Sequence, residues 1–188
     1  GIKIIYNALC PSDVDGPGGH VYAGCVATAM GQVMKKWSYP TTGNYSHSYY
    51  ATGYGTQTAN FAGTTYNWAA MPNSISSFNQ NIATLLYHCG VAVDMQYGAE
   101  ASGAYSSDVR YAMVTYFGYN AAAQFRQASS YTASYWATMI RNDLDQGKPV
   151  YYSGQGPDGG HAFVLDGYQG SSNFHFNWGW SGYYNGYF

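Results

Sequence analysis

The sequence predicts an α+β fold, and two observations carry that prediction. Before Pro149 the apolar residues recur with helical period, and after it come short β-rich runs separated by glycines. Helices that lead and strands that follow favour a largely antiparallel sheet over alternating β–α–β units. With 188 residues the chain is long enough for one domain with a substantial core and short for two generous ones. The expected organisation is a single domain over residues 1–188, helix-rich over about 20–147 and sheet-rich over about 148–188.

From Pro11 onward the first stretch is rich in Gly, Pro and Asp, and residues 1–24 read as loop. The first helix opens at Cys25, with Val26, Met30, Val33 and Trp37 as one buried stripe. Lys35 and Lys36 sit in its last turn, and Tyr39-Pro40 closes it. Residues 41–70 are aromatic and rich in Gly and Asn, and read as loop and short strand. A second helix is expected from about Asn79 to Cys89, ended by Gly90. A third starts at a Ser106-Ser107-Asp108 cap, runs through Val109, Met113, Tyr116 and Phe117, and stops at Gly118. A fourth spans about Ser134 to Gln146, with Trp136, Met139, Ile140 and Leu144 inward and Gly147 as its stop. The strands follow: Val150–Tyr152, then 161–168, then Phe174–Trp178.

Composition narrows the function classes. With 7 Lys+Arg against 9 Asp+Glu and a net charge of −2, no basic nucleic-acid surface is predicted. No apolar run reaches membrane-spanning length, and no charged-then-apolar leader opens the chain. The 22 Tyr and 24 Gly, with few Lys or Glu, lean toward an exported protein whose leader has been removed. Secretion is the expectation. His20, His47, His88 and His175 show no metal-ligand spacing with cysteines or carboxylates, so neither metal nor cofactor is assigned. The glycines near Gly156 and Gly159 lack the Gly-Lys-Ser/Thr continuation of a phosphate loop.

There are three cysteines. Cys89 shares an apolar helix face with Ile82, Leu85 and Leu86 and reads as a buried, inert thiol. Cys10 precedes Pro11 in irregular chain, and a Cys10–Cys89 pair stays open. Cys25 differs. It opens a helix, where unpaired N–H groups and the helix dipole lower the cost of a thiolate. His161, after Gly159-Gly160 at the head of a strand, supplies a proton acceptor. A thiol and an imidazole of this kind are what a cysteine nucleophile needs.

The last two strands flank the turn 169–173 and should pair antiparallel, setting His161 opposite roughly residues 177–180. Alternation puts Phe174, Phe176 and Trp178 on one face and His175 and Asn177 on the other. Asn177 is thus the expected polar partner of His161, its amide oxygen holding the ring toward Cys25. Asp166, an odd number of residues from His161 on the same strand, points away and is a poor third member.

Several collinear blocks resemble the streptopain family of bacterial cysteine peptidases. They are Gly24-Cys25-Val26-Ala27-Thr28-Ala29, Tyr66-Asn67-Trp68, Val93-Asp94-Met95, Gly118-Tyr119-Asn120, Pro149-Val150-Tyr151-Tyr152, Gly159-Gly160-His161-Ala162-Phe163-Val164 and Asn177-Trp178-Gly179-Trp180. The resemblance implies a papain-like fold, secretion as a zymogen, endopeptidase action on protein or peptide substrates, and the protein's own prodomain as inhibitor. It also implies Cys25 as nucleophile, His161 as base, Asn177 and Trp178 in support, and a preference for an apolar side chain two places before the cut. Trp178 and Trp180 would shield the contact between His161 and Asn177 from water.

Two departures stand out. Papain-like enzymes place an oxyanion glutamine a few residues before the nucleophile, whereas Gly18-Gly19-His20-Val21-Tyr22-Ala23 holds none. Gln155, in a loop near His161, is the replacement candidate, with Gly160 and Trp180 as neighbouring substrate contacts. The resembled family also has a prodomain before this region and more sheet after Phe188; both are expected to be absent here.

Two rival readings belong to other classes. A carbohydrate-binding module would share the aromatic composition, with Tyr49, Tyr50, Tyr54 and Trp68 as a sugar-stacking platform. A catalytically silent papain-like binding domain would keep the fold without the chemistry. The helix patterns argue against the first, and the presence of both Cys25 and His161 against the second.

Overall fold

A computed structural model describes residues 6–157 and 159–188. The chain divides into two compact units between Ala123 and Gln124. The first unit holds α1 (Cys25–Trp37), a hairpin of β1 (Ser46–Ala51) and β2 (Gly55–Asn60), α2 (Gln80–Ala92) and α3 (Ser106–Thr115). The second holds α4 (Ala133–Asp145) and an antiparallel sheet in the order β3 (Val150–Gly156), β4 (Gly159–Gln169), β5 (Asn173–Asn177), β6 (Gly186–Tyr187).

In the first unit α1 buries Val26, Ala27, Met30 and Met34. The stripe therefore runs i, i+4, i+8 and not on to Trp37. Val33 is only half-buried and Trp37, in the last turn, lies 46% exposed. Asn79 caps α2 by accepting from Ile82 N–H at 3.1 Å, but Gly90 does not end the helix. A Cβ at Gly90 would sit 2.5 Å from Tyr97 Oη, so this glycine admits a close neighbour inside α2. In α3, Ser106 is the first helical residue, Tyr105 holds the cap position without a side-chain cap bond, and Asp108 lies in the first turn. Phe61 and Phe117, both fully buried, meet edge-to-face at the centre of this unit.

In the second unit Thr132 caps α4, accepting from Tyr135 N–H at 3.3 Å. Ile140 buries against Phe163, Leu165 and Phe174, with Trp136, Phe176 and Trp178 packed around them. The compact second unit thus includes α4, whose inward face finds its apolar partner on the sheet. Phe174, Phe176 and Trp178 share that face, as alternation requires. β4 carries a bulge between Leu165 and Gly167, the site of Asp166, whose Oδ1 lies 2.5 Å from His175 Nδ1. The strands exceed the expected lengths at most ends, and β6 has no apolar alternation to announce it.

Cys10 and Cys89 are buried free thiols, so the open question of their pairing resolves against a disulfide. Cys89 Sγ donates to Met34 Sδ at 3.7 Å. Residues 1–5, part of the expected loop, lie outside the described residues.

Candidate active site

Cys25 is the first residue of α1 and half-buried. The residue before it explains how the chain turns into the helix there. Gly24 takes φ +90° and ψ 147°, a conformation open in practice only to glycine. A Cβ at Gly24 would lie 2.7 Å from the Met95 thioether and 3.1 Å from the Ser102 carbonyl oxygen. The Gly24 carbonyl is held by Thr28, through its N–H at 3.1 Å and its hydroxyl at 2.9 Å. The sulfur therefore stands at the N-terminal end of a well-anchored helix, where backbone N–H groups lack carbonyl partners inside the helix and negative charge is favoured. The other two thiols differ: burial pushes Cys10 up to about 12, and Cys89 upward as well.

His161 lies in β4, opposite Gly154 of β3, and is half-buried. Its Nε2 is 2.9 Å from the main-chain carbonyl of Trp178. A carbonyl only accepts, so Nε2 carries the proton in this hydrogen bond. The imidazole is packed among aromatics, with ring centroids 4.8 Å from Trp180, 5.9 Å from Trp178 and 6.1 Å from Phe163. The β4–β5 ladder ends at Val164–Asn177, and the same register carried on brings residue 180 opposite His161.

The main-chain carbonyl that meets His161 Nε2 belongs to the residue after Asn177. Asn177 Oδ1 accepts from Gly179 N–H at 3.2 Å, a local turn two residues wide. Asn177 pairs with Val164 at the end of the β4–β5 ladder. Trp178 and Trp180 stack on each other at 5.5 Å beside the imidazole. Gln155 sits on β3, not in a loop, and pairs with Gly160. Its Oε1 lies 3.2 Å from where a Cβ on Gly160 would be, so that glycine makes room for the carboxamide.

The family model of the Peptidase C10 family matches residues 1–188. The chain belongs to the Peptidase C10 family. It is 38% identical to the thiol protease/hemagglutinin PrtT of Porphyromonas gingivalis over 97% of this chain and 22% of that one. It is 37% identical to streptopain of Streptococcus pyogenes over 98% of this chain and 49% of the relative. Thus the chain spans about half the length of streptopain and less of PrtT. A solved fragment of Prevotella intermedia prointerpain A superposes with a TM-score of 0.89 at 37% identity, covering 100% of this chain and 62% of the other. The active interpain A cysteine protease of the same organism gives 0.88 at 37% identity, over 100% and 81%. The α+β fold of this Peptidase C10 chain is therefore that of a cysteine peptidase.

The residues of the rival sugar platform have other work. Trp68 is buried and its indole N–H donates to the Pro40 carbonyl at 2.7 Å. Tyr49 Oη donates to the Met95 carbonyl and Tyr54 Oη to Asp13 Oδ2, each at 2.7 Å. Of the four only Tyr50 is an open ring face, at 71% exposure. Among the described residues no group of three His, Cys, Asp or Glu side chains is arranged to hold a metal ion. No helix among them is long and apolar enough to cross a membrane.

Three contacts around these residues left no signal that sequence reasoning used: the Trp178 carbonyl on His161, the Met95 and Ser102 atoms behind Gly24, and Asn185 on the Trp178 N–H. Main-chain acceptors leave no residue-type signal. Asn185-Gly186 is a turn dipeptide, the one available hint of order in this segment.

Proposed function

We propose that the chain is the catalytic domain of a secreted bacterial cysteine endopeptidase, made as a zymogen and acting on protein or peptide substrates. The observation that carries the reading is the fixed tautomer of His161: Nε2–H engaged by the Trp178 carbonyl leaves Nδ1 for the thiol of Cys25. Cys25 transfers its proton to Nδ1, giving a thiolate and an imidazolium. The sulfur attacks the peptide carbonyl carbon, and the charge that gathers on the carbonyl oxygen is met by the Cys25 backbone N–H. The C–N bond breaks as His161 gives its Nδ1 proton to the leaving amine, and a thioester remains. Water then loses a proton to Nδ1 and attacks the thioester, releasing the carboxylic product and restoring the pair.

In this reading Trp178 and Trp180 keep water from the imidazole, Asn177 holds the turn that follows it, and Gln155 with Gly160 meets the substrate at the strand ends. An apolar side chain two places before the cut is preferred. Support for a zymogen comes from interpain A, for which both a pro-form and an active form are solved. The composition, poor in Lys and Glu, supports secretion. The prodomain would be the inhibitory partner.

Site-resolved alkylation of reduced, folded protein from about pH 4 to 9, followed by mass spectrometry, tests this. Cys25 should react fast well below the free-thiol pKa of about 8.5, and peptide cleavage should vanish as it is labelled. An ordinary titration of Cys25 would instead favour the catalytically silent binding domain.

A further inference from the structure

The carbonyl that orients His161 belongs to a residue pinned on several sides. Trp178 N–H donates to Asn185 Oδ1 at 3.1 Å, and the Trp178 indole N–H donates to the Tyr184 carbonyl at 3.0 Å. Asn177 Oδ1 takes the N–H of Gly179, the next residue along. Asn185 lies just before β6, where Gly186 pairs with Phe176. Carried one step further, that ladder would bring a main-chain acceptor to the last residues of β5, and the Asn185 side chain meets the Trp178 N–H instead. The intervening chain is tightly coiled: Gly179, Ser181, Gly182 and Tyr184 all have positive φ, and Tyr183 N–H closes on the Trp180 carbonyl at 3.0 Å. Two of these positions are not glycine. Such strain persists only where surrounding bonds over-determine the backbone.

We infer that Asn185 is a positioning residue: its amide oxygen holds the Trp178 backbone so that the Trp178 carbonyl faces His161 Nε2. The inference rests on the proposed Cys25–His161 chemistry and adds a residue to it. The Trp178 N–H and the Trp178 carbonyl belong to successive peptide planes that turn about the Trp178 Cα: Asn185 Oδ1 fixes the first, and without it the second, which Asn177 Oδ1 holds at the Gly179 N–H, loses the frame it turns from. A misdirected carbonyl costs the imidazolium more than the neutral ring, because a hydrogen bond to a charged donor is the stronger one. Asn185 therefore acts on the range of pH over which thiolate and imidazolium coexist, not on substrate affinity.

The test compares Asn185→Ala, Asn185→Ser and Asn185→Asp with the parent in kcat, KM, the pH profile of Cys25 alkylation, and the 15N NMR signal of His161. With Asn185→Ala, kcat should fall about tenfold, KM should stay within about twofold, and the alkaline limb of the profile should move down by half a unit or more, the loss expected for one charge-assisted hydrogen bond. Asn185→Asp keeps an acceptor at the same place and should recover most of the loss. Asn185→Ser, too short to reach the N–H yet mild for folding, should follow Asn185→Ala and covers the case in which alanine prevents folding. The NMR readout needs no activity: the His161 Nε2 proton should exchange with water faster in the serine and alanine variants. Absence of Cys25-dependent cleavage in the parent would overturn the catalytic reading alone, while the proton exchange still reports on Asn185. Parental pH limbs and parental Nε2 proton exchange in folded Asn185→Ser would overturn the role given to Asn185, whatever happens to thermal stability.

Discussion

Tyr66 and His88 share a buried hydrogen bond, Oη to Nδ1 at 2.9 Å, in the core of the first unit. Phe61 meets the same imidazole edge-on at 5.4 Å. Burial holds His88 down at about 4, so the ring is neutral in the folded protein at neutral pH, and it pushes the Tyr66 hydroxyl upward. The unfolded chain takes up a proton on this histidine near pH 6.5, before the folded one does. Stability from this group is therefore complete above about pH 6.5 and lost as pH falls toward 4. The shift corresponds to about 3 kcal/mol. Urea unfolding at pH 7 and pH 4.5 should show a loss of about 2–3 kcal/mol in the parent and a smaller one in His88→Gln, whose carboxamide still meets Tyr66. Parallel losses in the two proteins would show that another group sets the acid limit.

The depth of Cys10 and Cys89 gives a second expectation. Both thiols are raised by desolvation, Cys10 to about 12, so neither ionises appreciably in the folded protein at pH 9. A thiol reagent at that pH should leave both untouched and modify all three cysteines after denaturation. Labelling of Cys10 in the native protein would mean that the segment around Pro11 opens far more readily than its burial implies.

Gly24→Ala should be costly at one position away from any reacting atom. The added methyl meets the Met95 thioether, and the φ of +90° is itself unfavourable by about 1–3 kcal/mol for alanine. Cleavage should drop at least tenfold, since α1 and its first residue must shift. Met95→Ala in the same chain should recover the part due to the clash and leave the part due to φ, a coupling that a double-mutant cycle in denaturant measures.

Trp180 separates packing from electrostatics. Its indole lies 4.8 Å from the imidazole, close enough to stabilise an imidazolium by about 0.5–1 kcal/mol. Trp180→Phe should keep most of the alkaline limb of the alkylation profile, whereas Trp180→Leu should lower it by about half a unit. Equal shifts in both would assign the indole to water exclusion alone.

What could be read from the residues themselves followed from chemistry that repeats along the chain. The positions of all four helices were legible because apolar side chains recur on one face, and the β4–β5 hairpin because its turn and alternation are regular. Trp37 misled because a helix end can carry an aromatic outward. Gly90 misled because a glycine inside a helix can mark a close neighbour and not a stop. At the candidate site, the places of Cys25 at the start of α1 and His161 on a strand were legible. The Trp178 carbonyl was not, since every residue has one and only the fold selects which is used. The Asn185 contact was hidden for a related reason, as a side chain standing in for a ladder bond leaves no period.

The way this chain ties its surface together has a consequence for where it works. Among the described residues one lysine–carboxylate contact occurs, Lys148 Nζ to Asp143 Oδ1 at 3.8 Å, and it is solvent-exposed. Tyrosine hydroxyls do much of the fastening instead: Tyr39 to the Gly118 carbonyl at 2.8 Å, Tyr119 to the Tyr39 carbonyl at 3.1 Å, and Tyr49 to the Met95 carbonyl at 2.7 Å. Dissolved ions screen separated charges within several ångströms but leave short bonds between neutral groups nearly intact. A protein fastened in this way should lose little folding stability between dilute buffer and molar sodium chloride beyond what its His47–Asp94 and His175–Asp166 pairs contribute.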